Sequence, residues 1–316
     1  MTSLRIASRR SELALVQARS IQALLGGEVV EVTSSGDQDL SRPLYALPTM
    51  GVFVRALEIK LIDGAADLAV HSLKDVPTEQ PEGLCLAAVP AITLPRGDVV
   101  LMSPANRHLT LDTLPAGAVI GTSSLRRQAT LAGVYGQSHF NYVAIRGNLN
   151  TRLRKLEEGQ ADCLILAAAG LHRLGWDQTL PLQYLDEQRF LYAPGQAALG
   201  LECPTASPYF AAIQALEHRE SRLRVEAERT FMRELEGGCK VPLGVYSHIQ
   251  DGVLTLTGQV WGLEGTFTLR REVVGPLEEA VDLGRALAST MKAEGASEAL
   301  AAVRRRNEEL AASYEG

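Results

Sequence analysis

The segment GTSSLRRQ sets Thr122, Ser123 and Ser124 ahead of a run with helical periodicity, with Arg126 and Arg127 directly behind. Free backbone N–H groups and the helix dipole at such a start favour an anion, and a guanidinium fork holds a carboxylate by two parallel hydrogen bonds. A serine there can equally be a plain helix cap, with both arginines turned to solvent. The pattern recurs, which weighs against that plainer reading. Arg146-Gly147-Asn148 joins a second strand-like run to a helix carrying Arg152, and Arg9 follows the first strand-like run with Ser11 as candidate cap and Gln17 beyond it. Arg173 follows the apolar run ending at Ala169. Arginines at several strand ends suit a ligand with several carboxylates, held in the crevice where open α/β sheets bind.

His71-Ser72-Leu73-Lys74-Asp75 closes another strand-like run, so Asp75 faces the same crevice amid cations. Those cations hold Asp75 ionised, fit to stabilise a cationic intermediate and exchange protons, or they simply pin it structurally. His71 reads as a packed strand-end residue. Cys239 follows the helix-ending pair Gly237-Gly238 and precedes Lys240, a cation that favours a thiolate, which makes it a candidate nucleophile. A bare cysteine is more often a small buried hydrophobe, and Cys85, Cys163 and Cys203, all in apolar runs, keep that reading.

The elements that must position these groups follow from periodicity. Residues 11–25 carry apolar side chains at helical spacing and stop at Gly26-Gly27, between strand-like runs at Leu4 and Ile6 and at Val29 to Val32. Helical spacing at 54–61 precedes a buried strand at 67–71. After the proline-bearing stretch from Pro90 to Pro95 the pattern restarts: AVIG, YVAI and CLILAAA as strands, with SSLRRQATLA and NTRLRKLEEG as helices between them. Such alternation predicts two mostly parallel α/β sheets. A helix at 221–235 then leads to VYSHI, VLTLTGQVW and TFTLRREVV, strands of an antiparallel sheet with turns at Asp251-Gly252 and Glu264-Gly265. Amphipathic helices around 277–291 and 296–310 end the chain, and Arg304-Arg305-Arg306 reads as a solvated helix face.

The chain has 316 residues, more than one core usually serves. Its net charge of −6 argues against general nucleic-acid binding, so an anion site must be local. The scattered cysteines show no zinc-site spacing, and no metal is expected. No apolar run approaches the roughly 20 residues of a membrane span, and no leader peptide is evident, so a cytoplasmic protein without membrane or nucleic-acid partners is expected. Without a long heptad seam the expectation is a monomer.

IASRRSELALVQA, VTSSGD, MGVFVRALE, HSLKDVP, GTSSLRRQ, RGNLNTRL, LAAAGLHRLG, APGQAALGLEC and ERTFMRELEGGCKVPLG stand here in the order found in porphobilinogen deaminases. The chain therefore resembles that family over most of its length up to about residue 244. The resemblance implies two α/β domains like type II periplasmic binding proteins plus a smaller C-terminal α+β domain: 1–93 with 194–214, then 97–189, then 218–316. It implies a transferase of tetrapyrrole (haem, chlorophyll or cobalamin) biosynthesis, a hydroxymethylbilane synthase. Such an enzyme adds four porphobilinogen molecules head to tail, with loss of ammonia, to a covalent dipyrromethane primer and releases hydroxymethylbilane by hydrolysis. On the family's pattern Asp75 is catalytic and Cys239 carries the dipyrromethane through a thioether. Lys74, Ser72, Thr122, Ser124, Arg126, Arg127, Arg146 and Asn148 match cofactor-binding positions, and Arg9, Ser11, Gln17, Arg152 and Arg173 match substrate-binding ones.

The sequence departs from the family at Thr49-Met50-Gly51, where a Lys-Gly pair is common, at Ala197, usually glycine, at Lys240, often glutamine, and at Glu12, often proline. Two other readings compete. A non-catalytic two-lobed anionic-solute-binding protein would need the arginines but neither Cys239 nor Asp75. A phosphoryl-transfer enzyme would want a GxxxxGK[ST] loop, which the sequence lacks.

Overall fold

The computed structural model describes residues 3–34, 51, 53–236, 241–262 and 267–312. Strand β1 (Arg5–Arg9) is almost wholly buried and feeds helix α1 (Glu12–Leu25). Ser11 caps that helix by accepting the Ala14 N–H at 3.4 Å, and Gly26 ends it at φ +72°, a left-handed value suited to glycine. Ala14, Gln17, Ala18 and Ile21 recur on the buried side of α1, the stripe that helical spacing predicts. Strands β2 (Glu28–Val32) and β3 (Leu68–Ser72) flank β1 in parallel, and helix α2 (Arg55–Ile62) packs through Leu57 and Leu61. Ile6, Leu68 and Val70 meet Ala18 and Ile21 on one face of the sheet, while Ala7 and Ala69 meet Leu57 and Leu61 on the other.

A second sheet holds β5 (Asp98–Met102), β6 (Val119–Gly121), β7 (Asn141–Val143), β8 (Cys163–Ala167) and β9 (Leu182–Tyr184), in the order β7-β6-β8-β5-β9. Helices α3 (Leu125–Tyr135), α4 (Leu149–Glu157) and α5 (Ala168–Arg173) follow β6, β7 and β8. The apolar run expected as a strand through Ala169 stops at Ala167, so Arg173 ends a short helix rather than trailing a strand.

In each sheet four of the five strands run the same way, as expected, and one strand runs against them. The first has the order β2-β1-β3-β10-β4, with β4 (Leu84–Ala88), and β10 (Leu199–Pro204) runs antiparallel to both neighbours. In the second, β5 is antiparallel to β8 and β9. The reason lies in the connections. Parallel neighbours need a helical crossover, whereas β5 and β10 each enter directly from the other sheet and so run against the strands they join.

Beyond a short helix α6 (Phe210–Gln214), the long helix α7 (Arg219–Glu234) leads to an antiparallel meander of β11 (Leu243–Gln250), β12 (Val253–Trp261) and β13 (Thr268–Pro276). Asp251 and Gly252 join the first hairpin at φ +51° and +75°, the pair of positive values a type I′ turn requires. The other expected turn, Glu264-Gly265, lies outside the described residues. Helices α8 (Ala280–Ala293) and α9 (Ala296–Ala312) complete the chain. Phe231 fills the space above Gly258, where a Cβ would stand 2.4 Å from its ring, so only glycine fits that strand position.

The segments crossing between the two large sheets are bound to the C-terminal unit. Tyr192 exchanges backbone hydrogen bonds with Val245 at 2.9 and 2.8 Å. The Arg96 guanidinium donates to the Tyr192 hydroxyl at 2.6 Å and to Ser247 Oγ at 2.8 Å, and Glu228 accepts from Ser247 Oγ at 2.7 Å and from the Gly195 N–H at 2.8 Å. Tyr192, Ser247 and Glu228 lie out of water and Arg96 is half-buried, a setting where satisfied networks rigidify and unsatisfied ones are costly.

Candidate active site

A cavity of about 520 Å³ opens between the two large sheets, with Met232, Val241 and Leu243 of the C-terminal unit on its wall. Helices α1, α3 and α4 all begin at it. Their caps are Ser11, Ser124, which accepts the Arg127 N–H at 3.4 Å, and Asn148, which accepts the Thr151 N–H at 2.9 Å. The plain reading of Ser11 and Ser124 as helix caps is thus true, but its other half fails, because Arg126 and Arg127 are buried and not turned to solvent. Capping is compatible with the functional reading, because a capped N-terminus still presents backbone N–H groups and the positive end of a dipole to the cavity.

Ser72, Lys74, Asp75, Arg9, Gln17, Arg126, Arg127, Arg146, Arg152 and Arg173 line the same cavity. Thr122 does not. It is buried beneath the start of α3, its hydroxyl accepting the Ser124 N–H at 3.2 Å. Cys239, Lys240, Thr49 and Met50 lie outside the described residues.

Asp75 ends a single 3₁₀ turn, Leu73–Asp75, that continues β3, and its carboxylate is exposed to the cavity. Neighbouring segments hold the turn. The Leu73 N–H donates to the Ala198 carbonyl at 3.0 Å, and Arg229 of α7 donates to the Val76 and Pro77 carbonyls at 2.8 and 2.7 Å. Gln17 and Ser72 exchange hydrogen bonds at 3.0 and 3.2 Å, tying α1 to the strand end before the turn. His71 is packed, as its sequence context suggests, within 3.0 Å of buried Glu202.

The arginine pair is not free. The Arg127 fork closes on Asp98 with bonds of 3.0 and 2.7 Å and donates to the Ile165 carbonyl at 2.8 Å. Arg126 donates to the same carboxylate at 2.8 Å and to the Leu191 carbonyl at 2.5 Å. Burial alone would raise the Asp98 pKa, but these two guanidinium groups hold it well below the usual carboxylate range. Only the donors left over on each arginine remain for a ligand. Gln196 donates to Asp98 Oδ1 at 2.9 Å and accepts from Lys74 Nζ at 3.3 Å, which joins the acid beneath the arginines to the lysine beside Asp75.

The remaining cations are crowded. Burial lowers Lys74 to about 8, with Asp75 and Asp98 pulling upward and Arg127 and Arg126 pushing down. Burial lowers Arg152 to about 10, reinforced by Arg127 and Arg146, and burial lowers Arg173 to about 10. Arg152 Nε donates to the Gly147 carbonyl at 2.8 Å, Arg173 Nη2 to the Ala197 carbonyl at 2.6 Å, and Arg9 stacks over the Phe53 ring at 4.2 Å. Mutual repulsion and desolvation together disfavour this cluster until anions enter, so a ligand with several carboxylates gains from relieving both. Asp98, Gln196, Arg229 and Phe53 escaped the sequence reading. The only signal for Gln196 was its place in APGQAALGLEC, and Asp98 had none beyond starting an apolar run.

Residues 4–211 match the family model described as porphobilinogen deaminase, dipyromethane cofactor binding domain, and residues 222–293 match porphobilinogen deaminase, C-terminal domain. Among curated relatives, the porphobilinogen deaminase of Prochlorococcus marinus (strain MIT 9313) is 45% identical over 311 residues, covering 96% of this chain and 97% of its own. That of Synechococcus elongatus (strain ATCC 33912 / PCC 7942 / FACHB-805) is 46% identical over 305 residues, covering 94% of each. A solved structure of the BvgS VFT2 domain from Bordetella pertussis, 16% identical, covers 71% of this chain and 92% of its own with a TM-score of 0.40. Among the described residues no helix is long and apolar enough to cross a membrane, and no cluster of His, Cys, Asp and Glu could hold a metal.

Proposed function

The chain belongs to the porphobilinogen deaminase family, and on that premise we propose that its cleft builds a linear tetrapyrrole from porphobilinogen. The observation that carries the proposal is the convergence of three helix N-termini and a cluster of desolvated cations on one cavity that also displays the Asp75 carboxylate. A polycarboxylate pyrrole matches that donor set. The reading as a non-catalytic solute-binding protein is not favoured, since both deaminase models match and together cover nearly all of residues 4–293.

The cavity's donors also fit a dipyrromethane bearing carboxylate side chains. Lys74, Ser72, Ser124, Arg146 and Asn148 would hold it, with the spare donors of Arg126 and Arg127, while Thr122 supports the helix start from below. Cys239 would bind it covalently through a thioether. When bound, this group supplies the pyrrole ring to which the first unit is joined.

Arg9, Ser11, Gln17, Arg152 and Arg173 would receive the carboxylates of incoming porphobilinogen. Beside Lys74, the Asp75 carboxylate would stabilise positive charge on the substrate pyrrole as the aminomethyl group departs as ammonia. The same oxygens can accept the proton from the ring carbon that forms the new bond and, once protonated, pass it to the next leaving amine, a role worth roughly 10²–10⁴-fold in rate. Closed packing around Leu73 and the Arg229 clamp keeps Asp75 at one place while carboxylates accumulate around it. Four such additions followed by hydrolysis would release hydroxymethylbilane. Units 1–93 with 194–214, 97–189 and 218–316 are taken as the three domains. The protein is taken to act as a monomer in the cytoplasm.

The first experiment is the intact mass of the denatured protein beside that of a Cys239→Ser variant. An increment of two porphobilinogen units less two ammonias, present only with Cys239, is the expected result. A protein that stays unmodified after incubation with porphobilinogen would sink the enzyme reading and favour simple anion binding.

A further inference from the structure

The floor of the cleft is spanned by a single amide. Gln196 is 2% exposed and sits between two residues with left-handed backbone, Gly195 at φ +73° and Ala197 at φ +71°. Its Nε2 donates to the Arg96 carbonyl at 2.7 Å and to Asp98 Oδ1 at 2.9 Å, with the Gly97 carbonyl at 3.3 Å, and its Oε1 accepts from Lys74 Nζ at 3.3 Å. Reversing the amide would set its oxygen against three oxygens and its NH₂ against an ammonium. Its orientation is therefore fixed by its neighbours.

Lys74 belongs to the first sheet and Asp98 to the second, so this amide is a polar bridge between the two walls of the cleft. Its chemistry suits that place. A lysine on its flexible stem has an obvious alternative partner next door in Asp75, and an acidic residue at 196 would neutralise the ammonium that a ligand carboxylate needs. A neutral acceptor holds the ammonium while leaving its charge available. The charged groups facing Lys74 are Asp75 on its own turn, Arg126 and Arg127 on α3 and Asp98 at the start of β5. Gln196 is the uncharged member that connects them.

We propose that Gln196 is a positioning residue for the assembly reaction, holding the Lys74 ammonium in register with the Arg126–Arg127 pair through Asp98. The proposal rests on the reading of this cleft as the pyrrole-carboxylate site. Its action on Lys74 can nonetheless be read without turnover.

The chain contains only five lysines, so protein labelled with ¹³C at lysine Cε gives a sparse spectrum in which Lys74 is assigned through Lys74→Arg. In Gln196→Leu the Lys74 titration should move down by about one pH unit, the loss expected when an ammonium forfeits a buried acceptor. In Gln196→Met, which keeps the length but offers no such acceptor, it should move down likewise. Loss of structure alone would lower the unfolding midpoint of both variants and leave the Lys74 titration where it is, and that result in folded protein would overturn the proposal. Should Gln196→Leu fail to fold, the nearly isosteric Gln196→Met decides. Failure of the underlying reading shows separately, as an unsubstituted protein that makes no hydroxymethylbilane from porphobilinogen while the lysine shifts still occur.

Discussion

Lys74 shows how one residue can be tuned for binding at the expense of stability. Its folded pKa of about 8 lies below its ordinary 10.5, so the charged form is disfavoured by folding. That penalty is fully present below pH 8 and fades as the pH rises toward 10.5. Ligand affinity runs the other way, because an incoming carboxylate needs the proton in place. Uptake of the dipyrromethane by cofactor-free protein supplied with porphobilinogen should therefore slow above pH 8, by up to about tenfold per pH unit, and the effect should vanish in Lys74→Arg, whose charge persists; intact-mass time courses between pH 7 and 9.5 test this. Residues such as Lys74, Asp75 and the arginines could be picked out in the sequence because charge placed directly after an apolar run is visible there. Asp98 could not, since it is one of 37 acidic residues and its meaning depends on two arginines reaching it from a helix in another segment. Gln196 carries no charge, and its importance comes from what it separates.

The element scale explains a departure from the family pattern. Ala197 occupies a left-handed backbone at φ +71°, where an alanine is strained and a glycine is not, so the glycine usual in relatives answers a backbone requirement. Ala197→Gly should raise stability by about 1 kcal/mol, read as a higher midpoint of urea unfolding, less whatever the added freedom of the unfolded chain takes back. The turn matters because it carries Gln196 and the Ala198 carbonyl that anchors Leu73. Helix starts were readable from Ser11 and Ser124, each of which does cap its helix, whereas the cap formed by Asn148 was not singled out. The antiparallel strands β5 and β10 were not, because strand direction is decided by where the chain comes from and leaves no mark on local periodicity.

At the scale of the whole molecule, three packed units meet at the Arg96, Tyr192, Ser247 and Glu228 junction. Glu228 is 1% exposed and both its oxygens accept hydrogen bonds, so Glu228→Gln should turn one acceptor into a misplaced donor. A loss of about 1–3 kcal/mol is expected, seen as a lower and broader thermal transition as the units uncouple. None of this junction was legible beforehand, for its members are scattered along the chain and ordinary in type.

Strand β10 lies between β3 and β4 yet is made only after the entire second sheet. A ribosome delivers the chain from its N-terminus, so during synthesis the sheet bearing Asp75 stands with a gap between β3 and β4 while β5 to β9 already have all their partners. The second lobe can close first, and the catalytic turn acquires its Ala198 anchor only when the chain has passed back across. Arg126, Arg127, Arg146 and Arg152 thus belong to a sheet whose strands are all made before the Asp75 turn has its anchor.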